Sequence, residues 1–142
     1  MQTQDYKNHS RYVPLYHFIT PLLLIAVFIG SIVNLIHSTA DNIYSASLII
    51  VITIILIFLW AFARTFALKA QDRAIRAEEN FRHYILTGKP LNSSLKMSQI
   101  IALRFASDEE YPPLAKKATD ENLDSKAIKE SIKNWRSDHH RA

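Results

Sequence analysis

The chain has 142 residues, of which 49% are hydrophobic, and its 17 Lys and Arg side chains outnumber 13 Asp and Glu to give a formal charge of +4. It contains no cysteine, which excludes a disulfide framework and a thiolate metal site. Its only two glycines, Gly30 and Gly88, are too few for a phosphate-binding glycine loop.

Two apolar stretches, residues 18–36 and 47–66, carry no acidic side chain and no basic one before Arg64. A helix of about 20 apolar residues crosses roughly 30 Å of hydrocarbon, so both stretches can span a bilayer. The sequence therefore predicts transmembrane helices at 18–36 and 47–68, joined by a loop at 37–46. Burial in a soluble core is disfavoured because few other residues remain to surround them. A cleaved signal peptide is disfavoured because such apolar regions usually run roughly 7 to 15 residues.

Basic residues flank the outer ends of this hairpin, whereas the loop carries only Asp41 as a charge. Because Lys and Arg near span ends stay on the cytoplasmic side, we expect both termini to be cytoplasmic. Residues 1–17 then form a cytoplasmic amino-terminal segment. Aromatic and basic side chains near the cytoplasmic ends of the spans are expected to anchor them at the lipid headgroups. These candidate membrane-interface residues are Tyr12, Tyr16, Trp60 and Arg64.

No helix-breaking residue occurs between Ser47 and Thr87, and the first stop signal is Gly88 followed by Pro90. The second span should therefore continue as a stalk helix over residues 69–87. Small and aromatic residues recur along it at alternating spacings of three and four, which is typical of a coiled-coil contact. We call this set the seam: Ala67, Ala70, Ala74, Ala77, Phe81 and Tyr84.

The seam has two possible partners, the chain's own carboxyl-terminal part or another chain, and the first is slightly favoured. In that arrangement Phe81, Tyr84 and Ile85 complete the core of the carboxyl-terminal part. On the polar faces of the stalk, Asp72 with Arg76 and Glu78 with Arg82 are expected to form favourable i,i+4 pairs.

After Pro90 the pattern changes to three short helices, which we call the head, residues 90–142. Ser94 is a candidate cap for the first helix, and Asp124 for the third. The second begins either at a capping box over residues 107–110 or at Pro112 and Pro113. The third is expected to present Ile128, Ile132 and Trp135 on one face. The whole chain is thus predicted to be all-α, with a transmembrane hairpin, a stalk and a small cytoplasmic head.

Three strings, YKNHSRYVP at 6–14, IIALRFASDEE at 100–110 and IKNWR at 132–136, resemble a family of small two-span bacterial membrane proteins with no assigned function. The likeness covers nearly the whole chain. It implies a location in the bacterial inner membrane and transfers no catalytic residue.

Two clusters could carry chemistry but have simpler explanations. Asp138, His139 and His140 could bind a metal, yet adjacent tail histidines more often face water. The run Asp108–Glu110 could supply an acid and a base, yet a helix-start cap explains these residues more simply. We expect no catalytic, cofactor or metal site, and therefore no enzyme.

Two functions stay open. The preferred one is a non-enzymatic accessory or scaffolding subunit of a larger membrane assembly, whose partner surface includes Arg104, Trp135 and Arg136. The alternative is a membrane-tethered helix-turn-helix regulator with 125–136 as its recognition helix. Four cations in this helix suit phosphate contacts. They are Lys126, Lys129, Lys133 and Arg136. The head as a whole is only weakly basic, however, so nucleic acid is the less favoured partner. Membrane lipid is expected to contact the chain under either function.

Overall fold

A computed structural model describes residues 12–137. The described residues form five α-helices: α1 Thr20–Ile36, α2 Ile43–Thr87, α3 Met97–Leu103, α4 Tyr111–Asp120 and α5 Ser125–Ser131. A π-helical turn, Leu15–Ile19, precedes α1. The all-α prediction is confirmed for this part of the chain. These residues divide into two compact units, 12–67 and 68–137, with α2 contributing to both.

In the first unit, the helix over Leu15–Ile36 and the helix α2 are long and apolar enough to cross a membrane. Their most apolar windows are only 6% and 11% buried, unlike the core helices of a soluble protein, which are mostly buried. α2 begins at Ile43, so the connection between the two helices is shorter than the predicted loop at 37–46. The first helix ends at Ile36, as predicted.

Small side chains provide the buried positions of the hairpin. Ser31, Ala46 and Thr53 are each almost fully buried among large, exposed apolar residues. The two hydroxyls are satisfied within their own helices, where Ser31 Oγ donates to the carbonyl of Phe28 at 2.7 Å and Thr53 Oγ1 to that of Ile49 at 2.8 Å. Small residues of this kind let helix backbones approach closely.

α2 runs without interruption for 45 residues and ends at Thr87, which confirms the predicted continuous helix. Gly88 follows it with φ of 71°, a left-handed conformation that glycine adopts without a Cβ penalty. Its backbone N–H donates to the carbonyl of Tyr84 at 2.8 Å, satisfying one of the last acceptors of the helix.

The head contains the three predicted helices, with two corrections to their starts and ends. α3 begins at Met97, where Gln99 Oε1 accepts from the backbone of Lys96 at 2.7 Å, so Ser94 is not its cap. α4 begins at Tyr111 with the two prolines in its first turn, the second of the predicted starts. Asp124 caps α5 as predicted, because its carboxylate accepts from Ala127 N at 2.7 Å.

α5 ends at Ser131, so the prediction of a helical face reaching Trp135 is wrong. Ile132 has extended backbone angles, and the following segment pairs with the residues after α3 through an antiparallel bridge between Ala106 and Trp135. The core of the head is built on Ile100, Leu103, Phe105, Tyr111 and Ile128, and α2 adds Ile75 to it.

Candidate interaction surfaces

One arginine of α2, Arg82, contacts the head with every N–H group of its guanidinium engaged. Arg82 Nε and Nη2 approach Asp108 Oδ1 at 2.8 and 2.6 Å, and Nη1 lies 3.3 Å from Glu79 Oε2. Nη2 also donates to the carbonyl of Ala106 at 2.7 Å, and the guanidinium carbon lies 4.4 Å from the ring centre of Tyr111. We call Glu79, Arg82, Asp108 and Tyr111 the Arg82 cluster.

Burial determines the chemistry of this cluster. Glu79 is only 5% exposed, and burial raises the pKa of its carboxyl above 4.5, with the Arg82 guanidinium opposing that shift. Burial likewise raises the pKa of the Tyr111 hydroxyl, which stays a donor and binds the carbonyl of Glu79 at 3.1 Å. Because Tyr111 and Glu79 are both enclosed, the cluster fastens the head to α2.

The three carboxylates of Asp108–Glu110, a possible acid and base by sequence, have different partners. Asp108 binds Arg82, whereas Glu110 accepts from the backbone N–H groups of Lys133 and Asn134 at 3.1 and 3.3 Å. Glu109 is exposed, and its backbone N–H and the Ser107 hydroxyl lower its pKa by stabilising the carboxylate. The geometry therefore assigns these carboxylates to ion pairing and to loop fixation.

From Ala70 onward, the seam faces away from the head. All six of its members are exposed, with Phe81 66% and Tyr84 55% exposed, and the adjacent Ile85 is 66% exposed. The expectation that Phe81, Tyr84 and Ile85 complete the head core is thus wrong. The head covers the other side of α2.

The covered side of α2 presents Ile75, Glu79 and Arg82, whose spacing of four and three places them on one face. The sequence analysis missed this face because only one of the three residues is apolar. The expected pair of Glu78 with Arg82 does not form, since the guanidinium is engaged by Glu79 and Asp108. The sequence did contain a signal for this face, because Glu79 and Arg82 follow Ile75 at the spacing of four and three that places residues on one side of a helix.

The predicted partner surface is only partly exposed. Arg104 is 9% exposed, so the expectation that it lies on the surface is wrong: it ends α3 inside the packed head. Trp135 packs against Phe105 with ring centres 5.1 Å apart. Arg136 remains exposed, while its backbone N–H donates to the carbonyl of Phe105 at 2.8 Å.

The predicted recognition helix is shortened by the same extended segment. α5 covers only Ser125–Ser131, so Lys133 and Arg136 lie beyond it and cannot share its face. Lys126 pairs with Glu130 at 3.9 Å, and Lys129 Nζ lies 5.8 Å from the Phe105 ring centre. This geometry removes the continuous basic helix on which the nucleic-acid alternative depended.

The structure brings three of the predicted membrane-interface residues together in the hairpin unit. Tyr16 and Trp60 stack with ring centres 5.7 Å apart, and the Tyr16 hydroxyl donates to the carbonyl of Trp60 at 2.7 Å. The Arg64 guanidinium lies 6.0 Å from the Tyr16 ring centre. Tyr12 is exposed beside them and contacts His17 edge to face.

Among residues 12–137, shallow grooves of 280 and 190 Å³ lie on the head, and His83 of α2 also lines the smaller one. The larger is lined by Glu110, Pro113, Leu114, Lys117, Ser131 and Lys133. Among residues 12–137, no three His, Asp or Glu side chains are grouped as a metal site would need. The metal hypothesis on Asp138, His139 and His140 falls outside the described residues.

Comparison with known proteins identifies a family for the chain. No curated protein and no solved structure matches the chain. The model of the family described as "Family of unknown function (DUF6526)" matches residues 1–142, and the chain belongs to that family.

Proposed function

We propose that this chain is a two-span integral membrane protein of the bacterial inner membrane, with both termini in the cytoplasm. In this proposal it has no catalytic activity and serves as an accessory or scaffolding subunit that binds protein through α2. Two apolar helices with exposed surfaces support the membrane location, and the basic residues at their outer ends support the orientation.

The observation that carries the scaffolding role is the exposure of Phe81, Tyr84 and Ile85 in the stalk. Phe81 lies at the end of the charged run 69–82, Tyr84 and Ile85 follow it, and all three lie outside the apolar spans. Large apolar groups held in contact with water mark interaction surfaces when they cluster, and here the head leaves them uncovered. A partner protein would remove this area from water.

Cysteine labelling tests the membrane orientation, because the natural chain contains no cysteine. A membrane-impermeant maleimide added to intact cells should label Asp41→Cys in the loop and leave Arg136→Cys unlabelled until the membrane is opened. Labelling of Arg136→Cys from outside would contradict the proposed orientation.

Photo-crosslinking in native membranes tests the scaffolding role. A photoreactive phenylalanine analogue in place of Phe81 should yield a discrete protein adduct of constant mass. The same analogue at Glu121, an exposed position of the head, serves as the matched control. Equal, diffuse yields at both positions would contradict a specific protein-binding face on α2.

A further inference from the structure

We propose that the exposed face of α2 is covered by a second copy of this chain, in a parallel and in-register pair of stalks. This inference rests on the proposed two-span topology, because insertion in one membrane makes both stalks point the same way. It adds the partner that the scaffolding role leaves open.

The apolar part of the surface lies at coiled-coil positions. With Phe81 at position a of a heptad, Tyr84 falls at d, and Ala70, Ala74 and Ala77 continue the seam at d, a and d. The aromatic pair and Ile85, at the neighbouring e position, supply most of the area that pairing would bury. The alanines allow the two backbones to approach closely along the rest of the contact.

The head does not compete for this contact. Its anchoring residues Ile75, Glu79 and Arg82 fall at the b, f and b positions, on the outer side of such a pair. Two copies can therefore associate through α2 while each keeps its Arg82 cluster and its head unchanged.

Charge complementarity identifies the occupant. In a parallel coiled coil, a g residue faces the e residue five positions later on the other helix. Arg73 occupies g and Glu78 occupies the following e, and both side chains are exposed. The two-fold axis then sets Arg73 of each copy against Glu78 of the other, which gives two opposite-charge pairs from one sequence.

The charges flanking the seam argue against lipid as the occupant. A helix face that binds anionic headgroups is bordered mainly by Lys and Arg. Here the charged residues at the g and e positions beside the seam are of opposite sign, Arg73 and Glu78. Confinement to the bilayer raises the effective concentration of the second stalk, so even a contact rich in alanine can form.

Disulfide trapping in membranes tests the pairing with the full chain. Single variants Ala70→Cys and Tyr84→Cys place a thiol at either end of the contact, and Arg76→Cys, at an exposed c position, is the control. A parallel, in-register pair gives a disulfide-linked dimer from both seam variants in large excess over the control. Dimer from neither seam variant, or no more than from Arg76→Cys, would overturn the inference.

A reciprocal charge experiment tests the register. Arg73→Glu sets two Glu–Glu contacts across a homodimer, and Glu78→Arg sets two Arg–Arg contacts, so each variant alone should show about a tenfold lower dimer-to-monomer ratio. When the two variants are mixed, both contacts become attractive, and mixed dimers should return to the natural level. Failure of mixing to restore the dimer would contradict the assigned register.

The outcomes separate this inference from the function on which it depends. If the topology labels behave as proposed but Phe81 crosslinks to a different protein or to lipid, the second-copy inference is wrong and the orientation stands. If Arg136→Cys is labelled from outside the cell, the proposed orientation itself fails, whatever the yield of dimer.

Discussion

Residues 68–87 of α2 have two faces with opposite character. The face under the head buries Glu79 and Arg82 beside one isoleucine, whereas the face turned away exposes Phe81, Tyr84 and Ile85. The usual relation between polarity and burial is thus reversed over about three turns of helix. Apolar side chains left in water beside a well-packed head indicate a second contact, and buried charges with complete hydrogen bonding show how the first contact is specified.

The buried contact has the geometry that such a contact requires. Removing an arginine from water is costly unless all its N–H groups find acceptors, and Arg82 reaches two carboxylates and the backbone carbonyls of Arg104 and Ala106. Hydrogen bonds to these carbonyls form only over a narrow range of distance and angle. The pairing therefore fixes the head's location on α2 more strictly than apolar packing alone would.

The largest effect is expected from Arg82→Met. It leaves the Glu79 carboxylate enclosed without its cation, which should lower the free energy of unfolding of the head by about 3–5 kcal/mol. Arg76→Met, at an exposed position of the same helix, should change it by less than about 0.5 kcal/mol. Thermal unfolding of the full chain in detergent, followed by proteolytic resistance of residues 68–137, measures both. Equal thermal unfolding midpoints for the two variants would argue against the Arg82 cluster as the contact that holds the head on α2.

A matched pair of truncations compares the two faces directly. Ile75→Ala opens a cavity in the head core and should cost about 2–5 kcal/mol, whereas Phe81→Ala removes an exposed ring and should cost less than about 0.5 kcal/mol in the monomer. Chemical denaturation of dilute protein in detergent gives both values. A larger loss for Phe81→Ala would place the head on the seam.

Removing one hydroxyl tests the aromatic part of the cluster. Tyr111→Phe deletes the bond to the Glu79 carbonyl but keeps the ring against Arg82, so the unfolding free energy should fall by about 1 kcal/mol. Tyr84→Phe, on the exposed face, is the control and should leave it unchanged. A loss at Tyr84→Phe matching that at Tyr111→Phe would contradict the difference in burial.

The smallest effect is the pH dependence contributed by Glu79, because Arg82 opposes the shift caused by burial. The folded head raises the pKa of this carboxyl above 4.5, so it holds the proton more tightly than the unfolded chain. This contribution to stability is complete below 4.5 and is lost as the pH rises through the folded pKa. The melting temperature of the natural chain relative to Glu79→Gln should therefore fall between pH 4 and pH 7. A rise in this relative melting temperature between pH 4 and pH 7 would contradict the direction of the pKa shift of Glu79.

Local sequence signals predicted the elements better than their contacts. The apolar stretches, the stop at Gly88 and the cap at Asp124 each depend on a few adjacent residues, and the structure confirms them. The length of α5, in contrast, depends on a distant residue. The segment after α5 is held by Glu110, more than 20 residues earlier, which accepts from the backbone N–H groups of Lys133 and Asn134. Such a contact leaves no pattern in the sequence.

The face of α2 that binds the head was mispredicted for a related reason. Counting apolar residues favours the seam, whereas the observed contact uses one guanidinium and two backbone carbonyls. Carbonyls occur at every residue, so their position is known only once α3 is folded. The surface role of Arg104 was misassigned likewise, since its charge predicted exposure and the packed head encloses it.

Hydroxyl-radical labelling of the natural chain tests the central claim without any substitution. Tyr84 and Tyr111 carry the same side chain on the two sides of the contact, one 55% and the other 0% exposed. In detergent, at a protein concentration low enough to keep the chain monomeric, Tyr84 should be oxidised rapidly and Tyr111 protected until the head unfolds. Protection of Tyr84 together with rapid oxidation of Tyr111 would show that the head lies on the seam and would contradict the account.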